Sequence, residues 1–202
     1  MKNKGVLLVV SGPSGVGKGT VCHEFLKKHP DVFFSVSATT RPMRSIDVDG
    51  VTYHFKSEQE FDEMVRFDAF LEHASFCGNR YGTPKAPVLE RIEKGINVLL
   101  EIDVQGALMV KENYPDAVLV FILPPSLSVL EERLRNRGTE TEEKIRERMT
   151  QYQREFKKAP AYQYLLINDD LSVAVSDLEA ILRAEQMQTK RCQEILEEVL
   201  QK

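Results

Sequence analysis

The run SGPSGVGKGT, Ser11 to Thr20, constrains this chain more than any other stretch. It follows an apolar segment, Val6 to Val10, that reads as a buried strand, and it leads into a segment with helical character from Lys18 to Lys28, before Pro30. Gly12, Gly17 and Lys18 satisfy the spacing G-x-x-x-x-G-K, and a strand before it with a helix after it is the context that gives this spacing its meaning. Glycines let the backbone turn tightly and approach an anion. The N–H groups of Pro13's successors Ser14, Gly15, Val16 and Gly17, with the positive end of the following helix, then form a cradle for phosphate, and Lys18 reaches the terminal phosphates. Gly19 stands where such loops carry a hydroxyl that ligates a metal, while Thr20, one residue on, can donate to a phosphate. A metal ion at this loop must therefore rely on phosphate oxygens, water and acids from elsewhere.

The rest of the chain alternates in the way an α/β domain with a parallel sheet requires. INVLLEID, AVLVFIL and YLLIN read as further strands, with helices from Lys85 to Lys94, from after Asp103 to about Asn113, from Leu127 to Asn136, through about Lys158, and from about Ser172 onward. Ser57 with Glu60, and Thr139 with Glu142, have capping-box spacing and mark two helix starts. Residues 37–84 break the rhythm with short strands and read as an inserted subdomain. Residues 127–158, two charged helices joined by RGTE, read as a mobile flap. The core is then 1–36, 85–126 and 159–202.

Glu101 and Asp103 end the INVLL strand, and their i, i+2 spacing places them on one side of it. Strand C-terminal ends form the ligand crevice in such sheets, so these acids are candidates for holding a metal. No N-K-x-D run occurs, which disfavours a GTPase. The four histidines show no metal-ligand spacing.

The inserted segment carries groups for an anion. TTRPMR sets Arg41 and Arg44 three apart, Pro42 keeps Arg41 extended, and guanidinium forks suit phosphate oxygens. Tyr53 and Tyr81 add hydroxyls. In AFLEHASF, strict alternation puts Phe70, Glu72, Ala74 and Phe76 on one face and Leu71, His73 and Ser75 on the other. Glu72 is then an acid on an apolar face, a costly position without a partner. Guanine offers N1–H and N2–H₂ to such a carboxylate, whereas adenine presents a lone pair at N1. Ser37 or Thr83 can donate to the guanine O6.

The chain resembles the bacterial guanylate kinases through SGPSGVGKGT, SVSATTRPMR, YHF, FLEHASFCGNRYGTP, LEIDVQGA, FILPPS, RGTETEEKIRERM and INDDL, which together span most of its length. That resemblance implies a P-loop core with a parallel β-sheet flanked by helices, an inserted GMP-binding subdomain and a helical lid. It implies transfer of the γ-phosphate of ATP to GMP, giving ADP and GDP, with Mg²⁺. By position, it assigns the guanine contacts to Ser37, Glu72, Thr83 and Asp103. The GMP phosphate falls to Arg41, Arg44, Tyr53 and Tyr81. The ATP phosphates fall to the loop Gly12, Pro13, Ser14, Gly15, Val16, Gly17, Lys18, Gly19 and Thr20, and to the lid arginines Arg133, Arg137 and Arg148. Lys18, Arg41, Arg137 and Arg148 are the expected catalytic set, and Glu101 the indirect, water-mediated contact to the metal. The expected partners are ATP and GMP, with dGMP as a further acceptor.

Composition fits a folded protein in the cytoplasm. Of 202 residues, 42% are hydrophobic and 29% charged, and the net charge of -4 argues against a general nucleic-acid or membrane-surface binder. The three cysteines are far apart and have no C-x-x-C spacing, as expected of reduced thiols. The apolar run at Val6 is too short for a signal peptide or a membrane span. Competing readings are a kinase for AMP or a pyrimidine monophosphate, a non-catalytic binding module, and a nucleotide-gated structural protein. In the last, the terminal helix with Ile195, Leu196, Val199 and Leu200 is either an oligomer contact or packed on the chain's own core.

Overall fold

The computed structural model describes residues 4–76, 78–136 and 141–200. Its centre is a five-stranded sheet built from β1 (Leu7–Ser11), β2 (Phe33–Phe34), β7 (Val98–Glu101), β8 (Val118–Leu123) and β9 (Tyr164–Ile167). The order is β2-β7-β1-β8-β9, and every pairing is parallel. Side chains alternate across β1 and β8, which sorts one run of apolar residues into two cores. Val6, Leu8, Val10, Val118, Val120 and Ile122 face α1 (Lys18–Lys28) and α7 (Leu171–Gln186), burying Phe25, Leu178 and Leu182 between the layers. Leu7, Val9, Leu119 and Phe121 face α3 (Lys85–Glu93) and α4 (Val104–Asn113), against Val88, Ile92, Ala107 and Val110. Burying these strands on both faces is what their continuous apolar sequence requires.

A second sheet holds β3 (Ala38–Thr39), β4 (His54–Phe55), β5 (Phe70–Phe76) and β6 (Asn79–Pro84), in the order β4-β3-β6-β5. Helix α2 (Glu58–Arg66) covers it, with Phe61 stacked on Phe70 at 4.6 Å between ring centroids. The predicted capping box is present, with Ser57 Oγ accepting from Glu60 N–H while Glu60 accepts from Ser57 N–H.

One feature of β5 departs from the strict alternation. The register against β6 shifts between Phe70, opposite Pro84, and Glu72, opposite Thr83, so Leu71 is the extra residue of a β-bulge. The bulge breaks the expected faces. Phe70 shares a side with His73, 6.0 Å away, whereas Leu71 packs into the main core with Val88 and Val104. Glu72 turns toward α4 instead of lying with Phe70 on one apolar face.

Helices α5 (Leu127–Asn136) and α6 (Glu142–Phe156) lie over the phosphate-loop end of the sheet. Leu130, Leu134, Ile145 and Tyr152 are buried in the first core. Helix α6 ends at Phe156, two residues before the expected Lys158, and a short 3₁₀ turn follows at Ala159–Ala161. The expected cap Thr139 and the expected lid arginine Arg137 lie outside the described residues, as does the side chain of Arg133. Cys77 lies outside them too, while Cys22 is buried in α1 and its thiol is pushed well up by burial, which suits packing and not reactivity. In the terminal helix α8 (Gln193–Leu200), Val199 and Leu200 are exposed, so these two do not pack on the chain's own core; the side chains of Ile195 and Leu196 are outside the description. Among the described residues no helix is long and apolar enough to cross a membrane.

Candidate active site

The loop from Gly12 to Gly17 joins β1 to α1 at the C-terminal edge of the sheet. Two of its glycines are obligatory. Gly12 has φ +143° and a Cβ there would lie 2.5 Å from the Ile122 carbonyl oxygen. Gly17 caps α1 in the left-handed region, φ +91°, where a Cβ would strike Asn168 Nδ2 at 2.4 Å. No side chain caps α1, so its first N–H groups keep their partial positive charge for an anion. Lys18 Nζ donates to the carbonyls of Gly12 at 2.7 Å and Pro13 at 3.1 Å, folding the ammonium over the loop. Burial holds its pKa below the usual value, against the pull of Glu101, Glu155 and Asp103.

One cavity opens from this loop and a second adjoins it. The larger, about 410 Å³, lies between the loop at Gly12, Ser14 and Lys18, the start of α4 at Asp103 and Gln105, and the α6 residues Gln151, Arg154 and Glu155. The smaller, about 150 Å³, brings together Ser37, Tyr53, Glu72, Tyr81, Glu101 and Asp103. Ala74 and Asp103 line both, so the two spaces are contiguous in the residues that wall them.

At the small cavity, Glu72 is 6% exposed and its Oε1 accepts a 2.6 Å hydrogen bond from Thr83 Oγ1. Burial pushes this carboxyl up to about 7; the Thr83 hydroxyl opposes that shift and the charge of Asp103 adds to it. A buried acid with an ionisation this costly is one that a ligand with hydrogen-bond donors would relieve.

Asp103 does not extend the strand beside Glu101. Strand β7 ends at Glu101, and Asp103 is the N-cap of α4, with Oδ1 accepting from Gly106 N–H at 2.7 Å. The i, i+2 rule fails because the backbone leaves the pleat at Ile102 to begin a helix, yet both acids still line the small cavity. Burial raises the pKa of Glu101, and Lys18 opposes the shift. A Cβ on Gly19 would stand 3.5 Å from Glu101 Oε1, so the missing side chain leaves room beside this carboxylate. Thr20 lies on the exposed first turn of α1.

Arg41 packs 5.4 Å from the Tyr53 ring centroid and 5.6 Å from that of Phe55, and pairs with Asp47 at 2.9 Å. Asp47 also accepts from the Arg44 N–H at 2.7 Å, the main reason its pKa is depressed. Tyr53 and Tyr81 meet edge to face at 5.8 Å. The Arg44 residue is exposed on the same loop, and neither arginine is among the residues that wall the small cavity. The guanidinium of Arg148, on α6, reaches Ser14 Oγ at 3.0 Å.

Several residues at the site are not singled out by any sequence pattern. Asn168 donates to the Val16 carbonyl at 2.8 Å and backs Gly17. Tyr152 donates its hydroxyl to the Ser14 carbonyl, tying α6 to the loop apex. Asp47 holds Arg41. Of these, Asn168 alone has a usable signal, since it directly follows a strand of the parallel sheet, at the same end as the loop. Among the described residues no group of three or more His, Cys, Asp or Glu side chains gathers in a way that would hold a metal ion unaided.

The family model described as guanylate kinase matches residues 4–185. A guanylate kinase of Carboxydothermus hydrogenoformans is 54% identical over 189 residues, covering 94% of this chain and 93% of that protein. One from Clostridium perfringens is 50% identical over 194 residues, covering 96% and 90%. The crystal structure of guanylate kinase from Anaplasma phagocytophilum superposes with a TM-score of 0.78 at 34% identity, covering 97% of this chain and 95% of that one.

Proposed function

This chain belongs to the guanylate kinase family, and from that premise we propose how its own residues carry ATP-dependent phosphorylation of GMP to GDP. The observation that supports this reading best is the carboxylate of Glu72, buried in the smaller cavity while the larger one contains the phosphate loop. Ionised, Glu72 accepts from N1–H and N2–H₂ of guanine. Ser37 supplies a hydroxyl for the rest of the base edge, Thr83 holds the carboxylate with its own hydroxyl proton, and Asp103 borders the same space. Adenine in this position would set a lone pair against a carboxylate. A site built to hydrogen-bond its ligand rejects one that cannot reciprocate by about 10⁴-fold.

Phosphoryl transfer asks a protein for alignment and charge, with little covalent chemistry. The loop N–H groups and Lys18 take the ATP phosphates. Arg41 and Arg44 hold the acceptor phosphate, with Arg41 exchanging its Asp47 partner for phosphate oxygens, and the hydroxyls of Tyr53 and Tyr81 complete the set. Arg148 sits at Ser14, and Arg133 and Arg137 join it from the lid as helices α5 and α6 close and exclude water. No general base is needed, because the attacking phosphate oxygen is already anionic. Mg²⁺ bound with ATP supplies neutralisation of the β- and γ-phosphate charge. Glu101, beside the side-chain-free Gly19, would hold such an ion through water. dGMP, which carries the same base and phosphate, is a further acceptor in this reading.

A coupled assay with ATP, Mg²⁺ and each nucleoside monophosphate tests this directly. GMP should exceed AMP, CMP and UMP by about 10⁴-fold in kcat/KM. Comparable turnover of AMP would place the base elsewhere.

A further inference from the structure

Gly106 lies in the first turn of α4, at a place where glycine is a poor choice for a helix. It is fully enclosed, between Val104 and Ala107, both buried in the core, so the helix at this point cannot retreat. A Cβ on Gly106 would lie 3.0 Å from Glu72 Oε2 and 3.3 Å from its carboxyl carbon. The same Cβ would stand 3.5 Å from Asp103 Oδ1, the oxygen that already accepts from Gly106 N–H. Gly106 is thus in contact with two carboxylates of the smaller cavity at once.

Glu72 is fixed from three directions. At its base, Asn113 Nδ2, at the other end of α4, donates to the carbonyl of the bulged Leu71 at 2.8 Å. At its tip, Thr83 holds Oε1 at 2.6 Å. The third side is Gly106, where a Cβ would come within 3.0 Å of Oε2. A methyl group here has to move something by a few tenths of an ångström. The core behind α4 is closed, and the carboxylate is the part that gives way. Small displacements of a positioned group cost rate out of proportion to their size.

We propose that Gly106 is a positioning residue for base recognition: its missing side chain sets how deep the Glu72 carboxylate sits against α4, and so where it meets the purine edge. This rests on the reading of Glu72 as the guanine acceptor, and it adds a residue that touches no substrate itself.

The test is Gly106→Ala, measured with GMP and ATP as the varied substrates, alone and combined with Glu72→Asp. The single variant should raise KM for GMP about tenfold, leave KM for ATP within about twofold, and melt no lower than the parent, since alanine is the better helix former. Glu72→Asp draws the carboxylate back by one methylene. In that background the same alanine should change KM for GMP by less than about twofold. An unchanged KM for GMP in Gly106→Ala overturns the proposal, as does an equal loss in both backgrounds or an equal rise in KM for both substrates. Should Gly106→Ala fail to fold, recovery of the fold in the double variant supports the steric conflict with Glu72, and failure of both refutes it. Glu72→Gln separates the two levels: if that variant keeps full selectivity for GMP, the guanine assignment itself falls, whatever Gly106 does.

Discussion

Lys18→Ala should lower kcat/KM by roughly 10³-fold or more while the protein remains folded. The side chain lies along the loop with its ammonium on the Gly12 and Pro13 carbonyls, contacts that shape the loop locally and are not part of either apolar core. Its charge is what the reaction needs: burial disfavours the bare ammonium, Glu101, Glu155 and Asp103 oppose that, and phosphate oxygens attract a cation far more strongly here than in water. Removing it leaves the β- and γ-phosphates with loop N–H groups and the lid arginines. Thermal melting and ATP titration separate the outcomes. A folded protein that turns over normally would remove the loop from the mechanism and favour a binding module.

Glu72→Gln is expected to cut kcat/KM for GMP by about 10²–10³, through the loss of charge-assisted hydrogen bonds worth about 1.5–3 kcal/mol each, and to narrow the gap between GMP and AMP. The same residue sets a pH dependence. Its folded-state pKa is raised to about 7, so below that pH the acid carries a proton where it should accept one. GMP kcat/KM in the parent should rise with pH and level off above 7, and Glu72→Gln should lose that inflection. The linkage to stability has the opposite direction. Between the ordinary glutamate value of 4.5 and about 7 the folded state binds more protons than the unfolded one, so stability falls as pH rises through that window, by about 3 kcal/mol in all. The neutral Gln variant escapes this loss and should melt several degrees higher than the parent at pH 8. A variant that binds GMP poorly yet is more stable is the signature of a buried acid kept for its ligand.

The parts of this site legible in the sequence are those set by local spacing. The phosphate loop is written in backbone requirements, since Gly12 and Gly17 occupy conformations and close contacts that a side chain would forbid. The alternation of Leu7, Leu8, Val9 and Val10 between two cores, and the capping box at Ser57, are equally local. Glu72 stood out as an acid in an apolar strand, but its direction did not, because the bulge at Leu71 depends on pairing with a strand that comes later in the chain. Spacing alone predicts Asp103 on the strand beside Glu101, whereas it serves as a helix cap, since one residue decides where β7 stops. Gly106 acts on Glu72 across 34 positions and Asn168 on Val16 across 152, distances no periodicity reaches, while Asp47 meets its arginines within one irregular loop that has no periodicity to read. Arg41 and Arg44 are legible as two guanidinium groups in one loop, whereas Asp47, the acid that meets the Arg41 side chain and the Arg44 backbone, carries no pattern of its own.

The most direct test is a crystal structure with GMP and a non-hydrolysable ATP analogue bound together. The guanine N1 and N2 should lie within hydrogen-bond distance of the Glu72 carboxylate, with the analogue's phosphates in the loop between Gly12 and Lys18. A purine bound away from Glu72, or a triphosphate seated outside that loop, would contradict the account.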